Sequence, residues 1–258
     1  MSNKTIDTAQ GHWLLAKMGK RVLRPGGKEL TLKMIQGLHI TPQDRVIEFA
    51  PGIGYTAEKV VAMHPKSYTG IELNEEAATL LRKKINTDAY KIMLGNASQV
   101  ALEDGCCDKV YAEAMLTMNA DHRKSEIIRE AHRLLRKGGL YGIHELGLTP
   151  HTLHEKEKAT IQHALAVCIK VNARPLTQSE WVHLLEQEGF RIIDIQTNRM
   201  LLLETSRIID DEGILRCLKI GFNMMRNPKA RKRISEMKSV FTKYKDQMNA
   251  ISIIAEKL

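Results

Sequence analysis

Between residues 45 and 146, short apolar runs alternate with stretches in which apolar residues return every three or four positions. The runs at 45–49, 67–72, 90–94, 109–113 and 139–146 have strand length and turn residues at their ends, which predicts strands buried on both faces. Residues 58–63, 75–85 and 124–135 read as helices between them. In the last of these, Ile127, Ile128, Ala131, Leu134 and Leu135 fall on one side. Strands alternating with helices imply a parallel sheet covered on both faces.

The flanks read differently. Residues 9–19, with Trp13, Leu14 and Met18, and the segment carrying Leu30, Met34, Ile35 and Leu38 are two short helices joined by the turn at 24–27. Thr41-Pro42-Gln43-Asp44 then breaks the chain. Beyond Pro150, helices are expected at about 153–170 and 177–188, the second opened by a capping box of Thr177 and Glu180 and closed by Gly189. A strand follows at 190–195. Residues 205–247 return to helix, with Asp210, Asp211 and Glu212 read as acids at a helix N-terminus and Asn227-Pro228 as the start of the last long helix. That helix puts Ile234, Met237, Phe241, Tyr244 and Met248 on one face, and 250–255 reads as a final core strand.

Composition narrows this picture only slightly. With 43% hydrophobic and 27% charged residues, the 258-residue chain is that of an ordinary globular protein. Cys106, Cys107, Cys168 and Cys217 form no C-x-x-C pair and no zinc-like spacing with His, so free thiols and no metal are expected. Residues 1–8 carry no apolar stretch and no run reaches the ~18 residues of a membrane span, which suggests a cytoplasmic protein. Charge is more telling. Of the net +9, residues 1–45 hold +5 and residues 201–258 hold +5, while the middle is at −1.

Candidate chemistry starts at residues 46–57, a strand followed by an acid, a glycine loop and a helix. Gly52 and Gly54 let the backbone turn sharply and approach a ligand without a Cβ in the way. The second strand ends in Glu72, eighteen residues after Gly54, where a carboxylate can accept from both hydroxyls of a ribose. The run Gly52-Ile53-Gly54-Tyr55-Thr56-Ala57 also fits a dinucleotide fingerprint. Glu48 argues against it, because an acid ahead of the loop repels a pyrophosphate and favours a cationic ligand. So do the roughly 45 residues ahead of the first strand, where many dinucleotide domains begin.

Over residues 45–146 and 177–195 the chain resembles the class I S-adenosylmethionine-dependent methyltransferases, in the small-molecule branch that includes the quinone-biosynthesis enzymes. The family's acid-x-G-x-G-x-G reads here Glu48-Phe49-Ala50-Pro51-Gly52-Ile53-Gly54, with Ala50 in place of the first glycine. The resemblance implies a doubly wound, mostly parallel seven-stranded α/β sheet in one domain. Residues 1–44 would be a helical lid, 45–204 the cofactor-binding core, 205–248 a helical insertion and 249–258 the last strand. It implies S-adenosylmethionine as cofactor, held by Glu48, Ala50, Gly52, Gly54, Glu72, Leu73, Asn96, Ala97 and Glu113. Glu72 would take the ribose and Asn96 the adenine amino group. The segment 134–141 matches the family's helix–Gly-Gly–strand junction, which is architecture.

The acceptor is less legible. Methyl transfer from a sulfonium needs alignment and at most removal of a proton, so no strong catalytic signature is required. Glu113, His144, Glu145 and His12 are the candidates, and His12 with Trp13 could close over the cofactor. The fourth-strand tip lacks an Asn/Asp-Pro-Pro-aromatic motif, there is no Pro-Cys nucleophile, and only 5% of residues are aromatic. Nucleic acid is therefore not the expected partner. If both basic ends line the pocket mouth, the acceptor is a small anionic or amphiphilic molecule. Alternatively, the helix after Pro228, with its basic run at 229–233, lies on an anionic membrane. Two rival readings are a nucleic-acid-binding or RNA-modifying protein on the same fold and an NAD(P)-dependent oxidoreductase.

Overall fold

The computed structural model describes all residues except 1–5, 7, 86 and 201. Its centre is a sheet built from β1 (Arg45–Phe49), β2 (Ser67–Glu72), β3 (Tyr90–Leu94), β4 (Cys107–Glu113), β5 (Leu135–Leu148), β7 (Phe190–Arg199) and β8 (Met248–Lys257). A two-residue strand, β6 (Leu176–Thr177), pairs with β5 off this path. The spatial order is β3-β2-β1-β4-β5-β8-β7. The first five strands run parallel, whereas β8 inserts antiparallel between β5 and β7.

All seven long strands lie where the apolar runs place them. The differences are at their ends. β5 begins at Leu135, four residues before the expected Gly139, because Leu135 pairs with Cys107 before the register breaks and Leu140 resumes opposite Lys109. β6 went unforeseen, since two residues carry no periodicity.

Helices cover both faces. On one, α5 (Asp121–Leu134) and α7 (Gln178–Gln187) bury Ile127, Ile128, Leu134, Trp181 and Leu185. On the other, α2 (Gly27–Leu38), α3 (Tyr55–Val61) and α4 (Glu75–Arg82) bury Met34, Leu38, Val60 and Leu81. A separate apolar cluster joins α1 (Gly11–Met18), α6 (Glu155–Ile169) and α10 (Pro228–Lys243) through Leu14, Met18, Leu165, Ile234, Met237 and Phe241. The apolar face of α10 is thus packed inside the protein. It is not free to lie on lipid, as the expectation for the helix after Pro228 required.

The two basic ends interlock. The helical insertion also contains α8 (Thr205–Glu212) and α9 (Ile214–Met225). Asp210, Asp211 and Glu212 close α8 just ahead of the start of α9 at Ile214, and they receive the N-terminal segment. Glu212 Oε1 accepts from the backbone N–H of Arg21 and Val22, and Asp211 Oδ1 from that of Lys28. Lys20 is buried 3.8 Å from both acids, and burial lowers its pKa against their attraction. Asn223 of α9 donates to Met18 O, and Arg233 of α10 donates to Ala9 O. Much of the positive charge at the N-terminal end is consequently matched internally: Arg21 pairs with Glu58, Arg24 with Glu113 and Arg45 with Asp108. Among the described basic residues of this end, Lys17 borders the crevice at the strand tips, and Arg24 and Arg45 do not.

Candidate active site

The strand order reverses beside β1, so the loops after β1, β2 and β4 open onto one crevice. The loop after β1 is shaped by left-handed backbone at Ala50, Gly52 and Gly54. Ala50 holds a φ of 54°, a conformation costing an L-residue roughly 1–2 kcal/mol, and its N–H donates to Ile71 O. Gly54 starts α3, and a Cβ there would meet Leu81 Cδ2 at 2.3 Å. It packs the helix down and does not line the crevice.

Glu72, at the end of β2, is fixed by its neighbours. Oε2 accepts from the N–H of Gly52 at 2.9 Å, and Oε1 from that of Asn74 at 2.8 Å. A carboxylate has about four acceptor sites, so lone pairs remain for a ligand. Glu72 lines a cavity of about 650 Å³ together with Ala50, Gly52, Leu73, Asn96 and Ala97. Leu73 stands 72% exposed, an apolar side chain held out at the cavity edge. Asn96 departs from expectation: its Oδ1 already accepts from the N–H and the hydroxyl of Ser98, which leaves the amide nitrogen for a ligand. His12, Trp13 and Lys17 of α1 line the same space from above, as do Met115 and Met118 after β4. Met115 belongs to the fourth-strand tip expected to face the cofactor, whereas Lys17 and Met118 were not anticipated because neither position carries a motif.

Three other expected contacts point elsewhere. Glu48 is 3% exposed and does not line the cavity; Tyr68 and Tyr111 donate their hydroxyls to it inside the fold. Burial pushes its pKa up to about 7 against those two donors. Glu113 is also interior. It takes hydrogen bonds from Arg24 and Thr56, from Thr31 at 2.6 Å, and faces His144 Nδ1 at 2.8 Å. Burial raises its pKa, but the Arg24 charge and the bonds from His144 and Thr31 outweigh that and bring it down to about 2. His144, fully buried, turns its other nitrogen to Pro25 O. These residues tie the N-terminal segment to the tips of β4 and β5, and neither touches the crevice.

Glu145 and His12 border a second, smaller cavity of about 70 Å³. Both oxygens of Glu145 are occupied, by the N–H groups of Met115, Leu116 and Thr117 and by the Thr117 hydroxyl. That pattern caps the 3₁₀ turn Leu116–Met118. Leu15, Leu23, Leu146, Leu165, Met237 and Phe241 make the rest of the wall mostly hydrocarbon. His12 and Met118 line both cavities. Burial lowers the His12 pKa to about 4, so its ring is neutral at pH 7.

The chain is similar to known proteins. The methyltransferase domain family matches residues 47–143, the span from β1 into β5. An uncharacterized protein of Haemophilus influenzae is 30% identical over 96% of this chain and 98% of its own. An O-methyltransferase of Pyrenophora dematioidea is 23% identical over 79% of this chain and 75% of its own.

The chain is a class I S-adenosylmethionine-dependent methyltransferase.

Solved structures agree on the fold. A cyclopropane synthase of Mycobacterium tuberculosis superposes with a TM-score of 0.74 at 12% identity, covering 98% of this chain and 99% of that one. A phosphoethanolamine N-methyltransferase of Haemonchus contortus in complex with S-adenosyl-L-methionine gives 0.68 at 17%, covering 98% of this chain and 57% of that one. The cofactor of this methyltransferase is S-adenosylmethionine, and the larger cavity suits it. Glu72 offers anchored oxygens for hydroxyls, Leu73 and Ala97 offer apolar surface, and the backbone at Ala50 and Gly52 comes close with little side chain. Among the described residues no cluster of His, Cys, Asp or Glu has the grouping of a metal site.

The buried carboxylates set a pH dependence. Glu113 ionises in the folded state well below the 4.5 of an ordinary glutamate, so its contribution is full above pH 4.5 and fades as pH falls toward 2. The gap corresponds to on the order of 3 kcal/mol. Glu48 has the opposite sign: its contribution is full below pH 4.5 and is lost as pH rises through about 7. Urea unfolding across pH should show Glu113→Gln flattening the acid limb below 4.5 and Glu48→Gln flattening the slope between 4.5 and 7. Slopes that match wild type in both variants would contradict these environments.

Proposed function

We propose that this methyltransferase binds S-adenosylmethionine in the larger cavity and methylates a small apolar or amphiphilic molecule whose reacting end enters the second. The observation that carries the proposal is the shared wall: His12 and Met118 border both spaces, so a group in one meets a group in the other beside them. Glu72 takes the ribose hydroxyls, Leu73 and Ala97 flank the base, the Asn96 amide reaches its edge, and the backbone of Ala50 and Gly52 runs along the amino-acid end. The bound cofactor supplies a methyl group on a sulfonium, a leaving group that needs no activation.

The chain's own task is alignment, which is worth most when the reacting atoms are held near contact distance. Of the four candidate catalytic residues, His12 is the one that faces both cavities. A neutral imidazole presents one donor and one acceptor nitrogen, enough to orient an acceptor hydroxyl or amine. Its low basicity makes it a positioning group more than a strong base. His144 is enclosed, and Glu145 is saturated by four donors.

Chemistry of the wall selects the acceptor class. Among the described residues no Lys or Arg lines the second cavity. An anionic group is therefore not what enters it, and any charge on the acceptor stays outside. The nucleic-acid reading is not favoured either, since the family match is to a methyltransferase domain and only 5% of the residues are aromatic.

Glu72→Ala should raise the dissociation constant for S-adenosylhomocysteine at least about tenfold by calorimetry, because hydrogen bonds to a charged group are worth about 1.5–3 kcal/mol each. Glu48→Gln should leave it nearly unchanged, and equal losses in both would refute the assignment. For the acceptor, label from methyl-tritiated S-adenosylmethionine is offered a panel of small phenols and long-chain hydroxy compounds. Ala173 also lines the second cavity, so a larger side chain there fills it: transfer into organic-extractable product, lost in Ala173→Leu while S-adenosylhomocysteine still binds, is the expected outcome. Label recovered in RNA or protein instead would overturn the reading.

A further inference from the structure

The surface of α9 is unusual for a helix in a folded domain. One side is committed to the protein: Ile220 is buried against the turn after α1, and Met224 packs into the cluster beneath. The opposite side carries Ile214, Leu215, Leu218, Phe222 and Met225, exposed by 68, 85, 66, 52 and 66%. At 3.6 residues per turn these five fall within an arc of about 100°, a continuous stripe along the helix. Scattered apolar side chains on a surface need no explanation, but a contiguous stripe marks a contact surface.

Its rim identifies the partner. From Gly213 to Ser235 the sequence has seven Lys and Arg and no Asp or Glu. Lys219, Arg226, Arg231 and Lys232 are exposed, and no ion pair engages them among the described residues. The Arg226 guanidinium rests 5.2 Å above the Phe222 ring, its stem along the stripe and its charge beyond it. A second copy docked through this face would bring the two basic rims together, which like-charge repulsion opposes. An anionic lipid surface meets both demands: acyl chains for the stripe and headgroups for the rim.

We propose that α9 is a membrane-docking helix that seats this methyltransferase on anionic lipid, lying in the interface without crossing it. Among the described residues no helix is long and apolar enough to span a bilayer. α9 also braces the lid, since Asn223 donates to the carbonyl of Met18 at the end of α1, whose residues His12 and Trp13 wall the larger cavity. Docking therefore brings the cavities near the phase in which an amphiphilic acceptor dissolves.

The test is co-sedimentation of the full chain with phosphatidylcholine vesicles, with and without phosphatidylglycerol, at low and moderate salt. Wild type should sediment with the mixed vesicles, less so at higher salt, and poorly with phosphatidylcholine alone. Leu215→Glu/Leu218→Glu should cut the bound fraction about tenfold or more. Its melting-temperature shift with S-adenosylhomocysteine, compared with that of wild type, shows that the variant is folded. Lys219→Glu/Lys232→Glu should remove the preference for phosphatidylglycerol. No sedimentation at low salt, equal binding by the variants, or a dimer that dissociates in Leu215→Glu/Leu218→Glu without any vesicle binding would overturn the proposal. The assay contains neither cofactor nor acceptor, so its failure leaves the acceptor reading standing, and the reverse holds as well.

Discussion

A single buried carboxylate, that of Glu113, ties the N-terminal segment to the sheet. Removing an ion from water into a protein interior costs several kcal/mol unless partners surround it. Here four partners come from three parts of the chain: Arg24 and Thr31 from the N-terminal segment, Thr56 from α3, and His144 from β5. None of these partners can leave without exposing the charge to an apolar interior. The segment around Arg24 and Pro25 is therefore held against the strand tips, and α1 is held above the crevice. The position of His12, and with it the wall between the two cavities, follows from this arrangement.

The C-terminal helices complete the same job from the other side. Asp211 and Glu212 satisfy backbone N–H groups of residues 21, 22 and 28, and Arg233 caps carbonyls before α1. A chain whose ends both carry net positive charge can hold them together only if its acids are placed between them, and α8 supplies those acids. Among the described residues Lys219, Arg226, Arg231 and Lys232, on the basic rim of α9 and α10, engage no ion pair and face outward beside an apolar stripe.

Periodicity revealed the fold because the parallel strands are buried on both faces and read as unbroken apolar runs. The glycine loop and Glu72 were legible for a related reason: sharp turns and anchored carboxylates need particular residue types at fixed spacing. Glu113 and Glu48 were misplaced. Both follow a strand pattern, and only the partners across the sheet, Arg24 in one case and Tyr68 with Tyr111 in the other, decide that they face inward. Those partners lie far away in sequence. The second cavity was invisible for the same reason, being assembled from α1, α6, α10 and the strand ends. The α9 stripe was hidden because helical apolar residues ordinarily face a core, and sequence alone does not say which face of a helix finds one.

The most direct test of this account is hydrogen exchange of the α1 amides, Gly11–Met18, with and without S-adenosylhomocysteine, in wild type and Glu113→Gln. If the buried carboxylate locks α1 over the cofactor, ligand slows exchange across α1 in wild type and much less in the variant. Equal protection of α1 in both proteins, or none in either while the Gly52–Asn74 corner is protected, would contradict it.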